Sequence, residues 1–139
     1  MNRRNDIVEE SITIPGEISR VREISSMLLK KLKAHKVSED ALFDIRLCVE
    51  ETVRNAIQHG NPSDKKASVK INYRIEPGLF TIEVEDAGAG FDHNNVPDPT
   101  HDENLMKTSG RGVYLVRRLM DKVEYNKKGN KVKLIKYLK

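Results

Sequence analysis

The sequence of 139 residues has the length of one domain, large enough to bury a hydrophobic core and short for two. Hydrophobic residues make up 37% and charged residues 33%, a composition that excludes a disordered chain. No apolar run approaches the roughly 20 residues of a membrane helix, and the first residues lack a signal-peptide core. The single Cys48 excludes an internal disulfide and a cysteine-rich metal site. These features predict a cytoplasmic protein with no membrane partner.

The net charge of +4 is unevenly distributed along the chain. Residues 116–139 carry nine Lys and Arg against two acidic residues, whereas acids outnumber bases in the rest of the chain. Such a basic segment can bind nucleic acid or an acidic protein face, or it can be an edge strand whose lysines discourage pairing with other chains. The three Phe and four Tyr form no stacking platform among the basic residues, so we expect the edge strand and no nucleic-acid partner.

The first half of the chain predicts one strand followed by two helices. Residues 11–14 alternate polar and apolar side chains before Pro15-Gly16, which is typical of a short strand and a turn. Two stretches then repeat apolar residues every three or four positions, and each predicts an amphipathic helix. The residues concerned are Ile18, Val21, Ile24, Leu28 and Leu32, followed by Leu42, Ile45, Val49, Thr52 and Ala56. Ser38 is the predicted N-cap of the second helix, which we expect to end near residues 59–62.

The second half predicts a hairpin, a long loop, a third helix and a final pair of strands. Residues 69–84 alternate on both sides of a Glu-Pro-Gly turn, whereas residues 87–112 show little periodicity, which is typical of a functional loop. After Gly112 the third helix is indicated by Val113, Val116, Leu119, Met120 and Val123. The order β, α, α, β, β, loop, α, β, β predicts an α+β two-layer sandwich, with helices on one face of a mixed, mostly antiparallel sheet.

The predicted second helix places two adjacent glutamates differently. At 100° per residue, Glu51 and Asn55 lie side by side at one edge of the apolar stripe, and Glu50 and Arg54 lie on the outer side, where we expect them to form an ion pair. A carboxylate and an amide one turn apart can hold a hydrated divalent ion, with the amide oxygen as ligand and the acid as a base. The same spacing is also common on ordinary solvent-facing helices.

Two glycine-containing segments offer further candidate sites. Asp86 directly follows a predicted strand, and Gly88 and Gly90 after it let the backbone approach a ligand closely; the alternative is an acidic turn at the end of a hairpin. Residues 108–112 lead into the third helix, where free backbone N–H groups can bind a phosphate, with Lys107 and Arg111 adding charge. The alternative there is an ordinary capped helix.

Taken together, three segments resemble the N, G1 and G2 boxes of the Bergerat-type ATPases, the superfamily of DNA gyrase, the Hsp90 chaperone, histidine kinases and MutL. The segments are Glu51–Asn55, Asp86–Gly90 and Gly110–Gly112. The longer runs over residues 49–60 and 110–121 are similar to the anti-sigma-factor serine/threonine kinases of bacteria. The resemblance extends from Ile12 to Leu138 and implies a single histidine-kinase-like ATPase domain over residues 1–139, with the Bergerat ATP-binding fold.

The resemblance also implies roles for individual residues. Asn55 would ligate a Mg²⁺ ion on the ATP phosphates, Glu51 would be the general base, and Asp86 would bind the adenine amine. Gly88 and Gly90 would admit the base and ribose. Residues 92–109 would form the ATP lid, and its phosphate-binding end would comprise Thr108, Ser109, Gly110, Arg111 and Gly112.

The function implied is an ATP-dependent protein kinase that sequesters a sigma factor and phosphorylates an anti-anti-sigma protein of the STAS type on Ser or Thr. A homodimer is implied as well. The alternative is a non-catalytic adaptor that acts by protein contact. The presence of both Glu51 and Asn55 favours the kinase, since an adaptor has no chemical need for a base.

Overall fold

Within the residues that the structure describes, five strands and three helices follow one another in the predicted order. The computed structural model describes residues 7–59, 68–86, 108–127 and 129–138. The elements are β1 (Val8–Pro15), α1 (Arg20–Lys33), α2 (Glu39–His59), β2 (Ser68–Glu76), β3 (Leu79–Glu85), α3 (Thr108–Leu119), β4 (Lys122–Tyr125) and β5 (Lys131–Tyr137).

The strands form one sheet in the order β1-β2-β3-β5-β4, and all four described pairings are antiparallel. The α+β prediction is therefore confirmed, but the expected mixed sheet is wrong for the described strands. Alternate residues of β2 and β3 are buried, among them Ile71, Phe80 and Ile82, and these form one core with the apolar stripes of the helices. Among the three described helices α2 is central, because it packs against α1, α3, β2 and β3.

The N-terminus of α2 forms as the sequence predicts. The backbone N–H of Ala41 donates to Oγ of Ser38 at 3.2 Å, and Glu39 and Asp40 occupy the first turn. Ile45, Val49, Thr52 and Ala56 of the predicted stripe are buried, and so is Val53, which the prediction did not include. The register of α2, which decides where Glu51 and Asn55 lie, is thus fixed by the cap at one end and by the buried stripe along its length.

Two boundaries near α3 differ from the prediction. The helix begins at Thr108 rather than after Gly112, so Thr108 and Ser109 belong to the helix and not to a lid. It ends at Leu119, and Val123 lies in β4 because the backbone N–H of Asp121 already bonds to the carbonyl of Ile135 in the sheet. The apolar spacing of the helix continues by coincidence into the next strand.

The basic C-terminal segment, residues 116–139, contains both the edge strand β4 and the internal strand β5, so the expected edge strand is confirmed for β4 alone. β5 lies between β3 and β4, and Lys131 forms an ion pair with Glu83 at 2.9 Å. The register also places Lys133 between Glu83 and Glu124. Lys131 and Lys133 therefore face acids on neighbouring strands, and β4 forms the edge. None of the helices in the described ranges is long and apolar enough to cross a membrane.

Candidate nucleotide site

Glu51 and Asn55 lie one turn apart on α2 at the boundary of the core. Cys48 and Thr52 are buried, and Glu51 and Asn55 beside them are partly exposed to solvent. This placement agrees with the helical wheel: two polar side chains flank the buried stripe without entering it. Their carboxylate and amide oxygens are the ligand types that Mg²⁺ takes, together with waters and phosphate oxygens.

The Glu51 side chain lies directly against the backbone of α3 at Gly112. A Cβ atom placed on Gly112 would collide with Oε1 of Glu51 and would lie 2.7 Å from its Cδ atom and 2.8 Å from its Cγ atom. Glycine is therefore the residue that lets the carboxylate approach the second turn of α3. This contact joins the first and third of the motif segments in space.

Arg54 holds the other oxygen of the same carboxylate. Its Nη1 atom donates to Oε2 of Glu51 at 3.0 Å. The predicted pair between Glu50 and Arg54 is wrong: Glu50 instead accepts a 2.6 Å hydrogen bond from Oγ of Ser25 on α1. A wheel drawn for α2 alone does not show that α1 covers the Glu50 side, where the buried Ser25 hydroxyl supplies a donor.

Asp86 is fixed at the end of β3 by its main chain. Its N–H donates to the carbonyl of Asn130 at 2.9 Å, and the Asn130 side-chain amide donates to the Asp86 carbonyl at 2.9 Å. Asn126 holds Asn130 in turn, since its amide donates to Oδ1 of Asn130 at 2.7 Å and its Oδ1 accepts from the backbone of residues 129–131. Asn126 and Asn130 were missed by sequence reasoning, although the Asn-Lys-Lys-Gly-Asn turn signals them.

The phosphate-binding end differs in one respect from the expectation. Because α3 begins at Thr108, the N–H groups that lack a partner within the helix include those of Thr108, Ser109 and Gly110. Gly112 is already in the second turn, where N–H groups bond within the helix. The side chains of residues 108–111 lie outside what the structure describes. Gly88, Gly90 and residues 92–107 of the predicted lid also lie outside the described residues. The roles assigned to all of these residues stay predictions.

The C-terminal end of α3 is also tied to α2. Nζ of Lys136 on β5 donates to the carbonyl of Leu119 at 2.7 Å and to Oδ2 of Asp44 at 3.3 Å. A lysine at the last carbonyls of a helix complements the helix dipole. Contacts near both ends therefore hold α3 in place against α2.

Two further chemistries find little support in the described part of the chain. No group of three or more His, Cys, Asp or Glu residues there is arranged to hold a metal ion. Cys48 is buried, and this burial raises the pKa of its thiol to about 12, with the carboxylates of Asp44 and Glu51 adding to the effect and Lys136 opposing it. A protonated, inaccessible thiol is not a nucleophile.

Comparison with known proteins places this arrangement in a family. The model of the histidine kinase-like ATPase domain matches residues 14–136. The chain belongs to that family. It is 31% identical over 106 residues to the serine-protein kinase RsbW of Bacillus subtilis, an alignment that covers 71% of this chain and 66% of that protein. The chain thus spans just under two thirds of this relative. It is also 26% identical over 148 residues to RsbW of Staphylococcus aureus, covering 100% of this chain and 91% of the relative.

Two solved structures share the fold. The RsbU and RsbW domains of a Mycobacterium tuberculosis protein give a TM-score of 0.65 at 16% identity, covering 95% of this chain and 32% of that chain. The SiaB-SiaC complex of Pseudomonas aeruginosa gives a TM-score of 0.65 at 15% identity, covering 97% and 91%. The predicted membership among the histidine-kinase-like ATPases is confirmed, and the relatives named here are serine-protein kinases, as the sequence led us to expect.

Proposed function

We propose that this chain is an ATP-dependent anti-sigma-factor serine/threonine protein kinase, which sequesters a sigma factor and phosphorylates an anti-anti-sigma protein of the STAS type. The observation that carries the proposal is the contact between Glu51 and Gly112, because it brings a candidate base against the helix whose N-terminus follows the predicted lid. The curated RsbW relatives, each a serine-protein kinase, support the reaction class.

In this proposal the residues divide the work of phosphoryl transfer. The Glu51 carboxylate accepts the proton of a Ser or Thr hydroxyl as that oxygen forms its bond to the γ-phosphorus and the bond to the β–γ bridging oxygen breaks. Asp86 accepts a hydrogen bond from the adenine amine, and the N–H groups of the first turn of α3 bind phosphate oxygens. Asn55 would supply an amide oxygen to Mg²⁺, which would neutralise phosphate charge. Positioning and charge neutralisation then provide most of the rate enhancement.

The contact with partners belongs to the same proposal. A nucleotide bound at α3 would change the surface near that helix, so a sigma factor or a phosphoacceptor that touches it would bind the ATP and ADP forms with different affinities. A homodimer is expected from the resemblance, and a cytoplasmic location is expected from the composition and the single cysteine. The adaptor alternative retains partner binding and predicts no phosphoryl transfer.

The deciding experiment compares two adjacent glutamates. The tagged protein and Mg-ATP are used to capture partners, mass spectrometry identifies a phosphorylated Ser or Thr, and transfer to that acceptor is then measured with purified proteins. Glu51→Gln is expected to lower transfer by about 10²- to 10⁴-fold while nucleotide binding stays nearly unchanged. Glu50→Gln is the matched control, since its amide oxygen still accepts from Ser25. A fully active Glu51→Gln protein would contradict the mechanism, and absence of transfer by the wild type would favour the adaptor.

A further inference from the structure

We propose that Arg54 is a positioning residue for phosphoryl transfer, which fixes the Glu51 carboxylate through Oε2 and so leaves Oε1 for the reacting hydroxyl. This inference rests on the proposed function. It concerns a residue to which neither the resemblance nor the comparisons assign a role.

The two oxygens of the Glu51 carboxylate have different surroundings. Oε2 accepts from Nη1 of Arg54 at 3.0 Å, whereas Oε1 faces the Cα of Gly112 and has no hydrogen-bond donor among the residues that the structure describes. A hydrogen bond between two charged groups is stronger than one between neutral groups. Among the described residues, one oxygen is therefore held by a donor and the other is not.

The ion pair of Glu51 and Arg54 is partly shielded from solvent. The Glu51 side chain is 15% exposed and that of Arg54 is 38% exposed, so the carboxylate is mostly shielded while the guanidinium keeps contact with water. Glu50, the adjacent acid, is occupied by Ser25 and does not compete for Arg54. Within the described residues Glu51 is thus the acidic partner of Arg54.

Proton transfer to Glu51 requires its carboxylate to be placed accurately. A general base must lie within about 2.6–3.2 Å of the oxygen whose proton it takes, and a displacement of about 1 Å can lower a rate roughly 10²-fold. A glutamate has three side-chain torsions, and the two contacts restrict them from opposite sides. Of the two contacts described for the carboxylate, only the packing on Gly112 would remain without Arg54.

The test measures transfer to the identified phosphoacceptor in a double-mutant cycle. Arg54→Ala is expected to lower kcat by about 10- to 100-fold with KM for Mg-ATP changed less than about threefold, and Arg54→Lys is expected to recover part of the loss. In the Glu51→Gln background the same Arg54→Ala change should have almost no further effect, because the group it positions has gone. Millimolar guanidinium ion should restore part of the Arg54→Ala activity, which a purely structural defect would not allow.

Arg46→Ala is the matched control, because Arg46 is another α2 arginine whose guanidinium stacks on the Phe43 ring at 5.8 Å, away from Glu51. It should transfer phosphate at the wild-type rate, and circular dichroism melting confirms that each variant is folded. Equal losses from Arg54→Ala in both backgrounds, or wild-type kcat in Arg54→Ala, would overturn the positioning role while leaving the proposed function intact. An inactive wild type would contradict the proposed function and this role with it.

Discussion

Because Gly112 has no side chain, the Glu51 carboxylate can lie against the backbone of α3. In Gly112→Ala the new Cβ would displace the Glu51 carboxylate, whose far end can move at a cost of about 0.5–1.5 kcal/mol. Alanine in a helix recovers roughly 1 kcal/mol relative to glycine. We therefore expect the free energy of unfolding to change by less than about 1 kcal/mol, while phosphoryl transfer falls at least about tenfold. Urea unfolding and the transfer assay check both parts; a normal rate would show that the contact with Glu51 is not needed.

Cys48 gives a pH-dependent prediction. Its pKa is about 12 in the folded chain, against an ordinary 9.0, because burial disfavours the thiolate. Between these values the folded state keeps a proton that the unfolded state loses, so stability is full below pH 9 and falls as the pH rises above it, by up to about 1.4 kcal/mol per pH unit. Urea unfolding at pH 8, 9 and 10 measures the slope.

Cys48→Ala is the control for that slope, because it removes the titrating group and should flatten the decline between pH 9 and 10. The thiol should also react with a disulfide reagent at pH 8 only after the chain unfolds, and this reading is unambiguous because the chain has one cysteine. Rapid reaction in the native protein would contradict the assigned burial.

At the scale of elements, α1 and α2 are linked by the Ser25–Glu50 hydrogen bond rather than by apolar contact alone. Ser25 is 2% exposed, so Glu50→Ala leaves a buried hydroxyl without this acceptor. The hydroxyl keeps the Arg22 carbonyl at 3.2 Å as a second acceptor, so we expect a loss of about 1 kcal/mol in the free energy of unfolding, still more than the few tenths of an exposed helical ion pair. Glu50→Gln keeps an acceptor and should lose less. Equal midpoints for wild type and Glu50→Ala in urea would refute the link.

The sequence predicts elements well where the signal is local. The stripe of α2 and the alternation of β2 and β3 give the correct element types, and the position of Glu51 follows from that stripe. The start of α3 was missed because Thr108-Ser109-Gly110 has low helix propensity, which packing of the buried Val113 and Val116 overrides. The internal place of β5 depends on pairing with β3, and a local pattern does not reveal a partner so distant in sequence.

At the scale of the whole molecule, the proposed ligand would join elements that contact one another mainly through α2. Glu51 lies on α2, Asp86 directly follows β3, and α3 begins at Thr108. Asn126 and Asn130 fix the backbone of Asp86 from the turn between β4 and β5. A nucleotide that touches all three elements would therefore stabilise the fold as a unit, because ligands that bind only the folded state raise its stability by mass action.

The size of that stabilisation can be estimated and used to test the role of Asp86. At a ligand concentration 100-fold above Kd, the folded state gains about 2.7 kcal/mol, which for a domain of this size raises Tm by roughly 8–10 °C. Mg-GTP at the same concentration should raise Tm by less, because Asp86 would face the guanine carbonyl oxygen without a donor. An unpaired polar contact costs roughly 1–3 kcal/mol, about 5- to 150-fold in affinity.

Thermal unfolding with Mg-ATP, Mg-GTP and neither ligand measures this difference, and calorimetric titration gives the two affinities directly. Asp86→Asn is the informative variant, because its amide can rotate to donate to the guanine oxygen or to accept from the adenine amine. In this variant the increases in Tm with Mg-ATP and with Mg-GTP should become similar. Its main-chain bonds to Asn130 do not involve the side chain and should hold the residue in place. Equal increases in Tm with Mg-ATP and Mg-GTP in the wild type would contradict the role of Asp86 in adenine recognition, because its carboxylate would then not distinguish adenine from guanine.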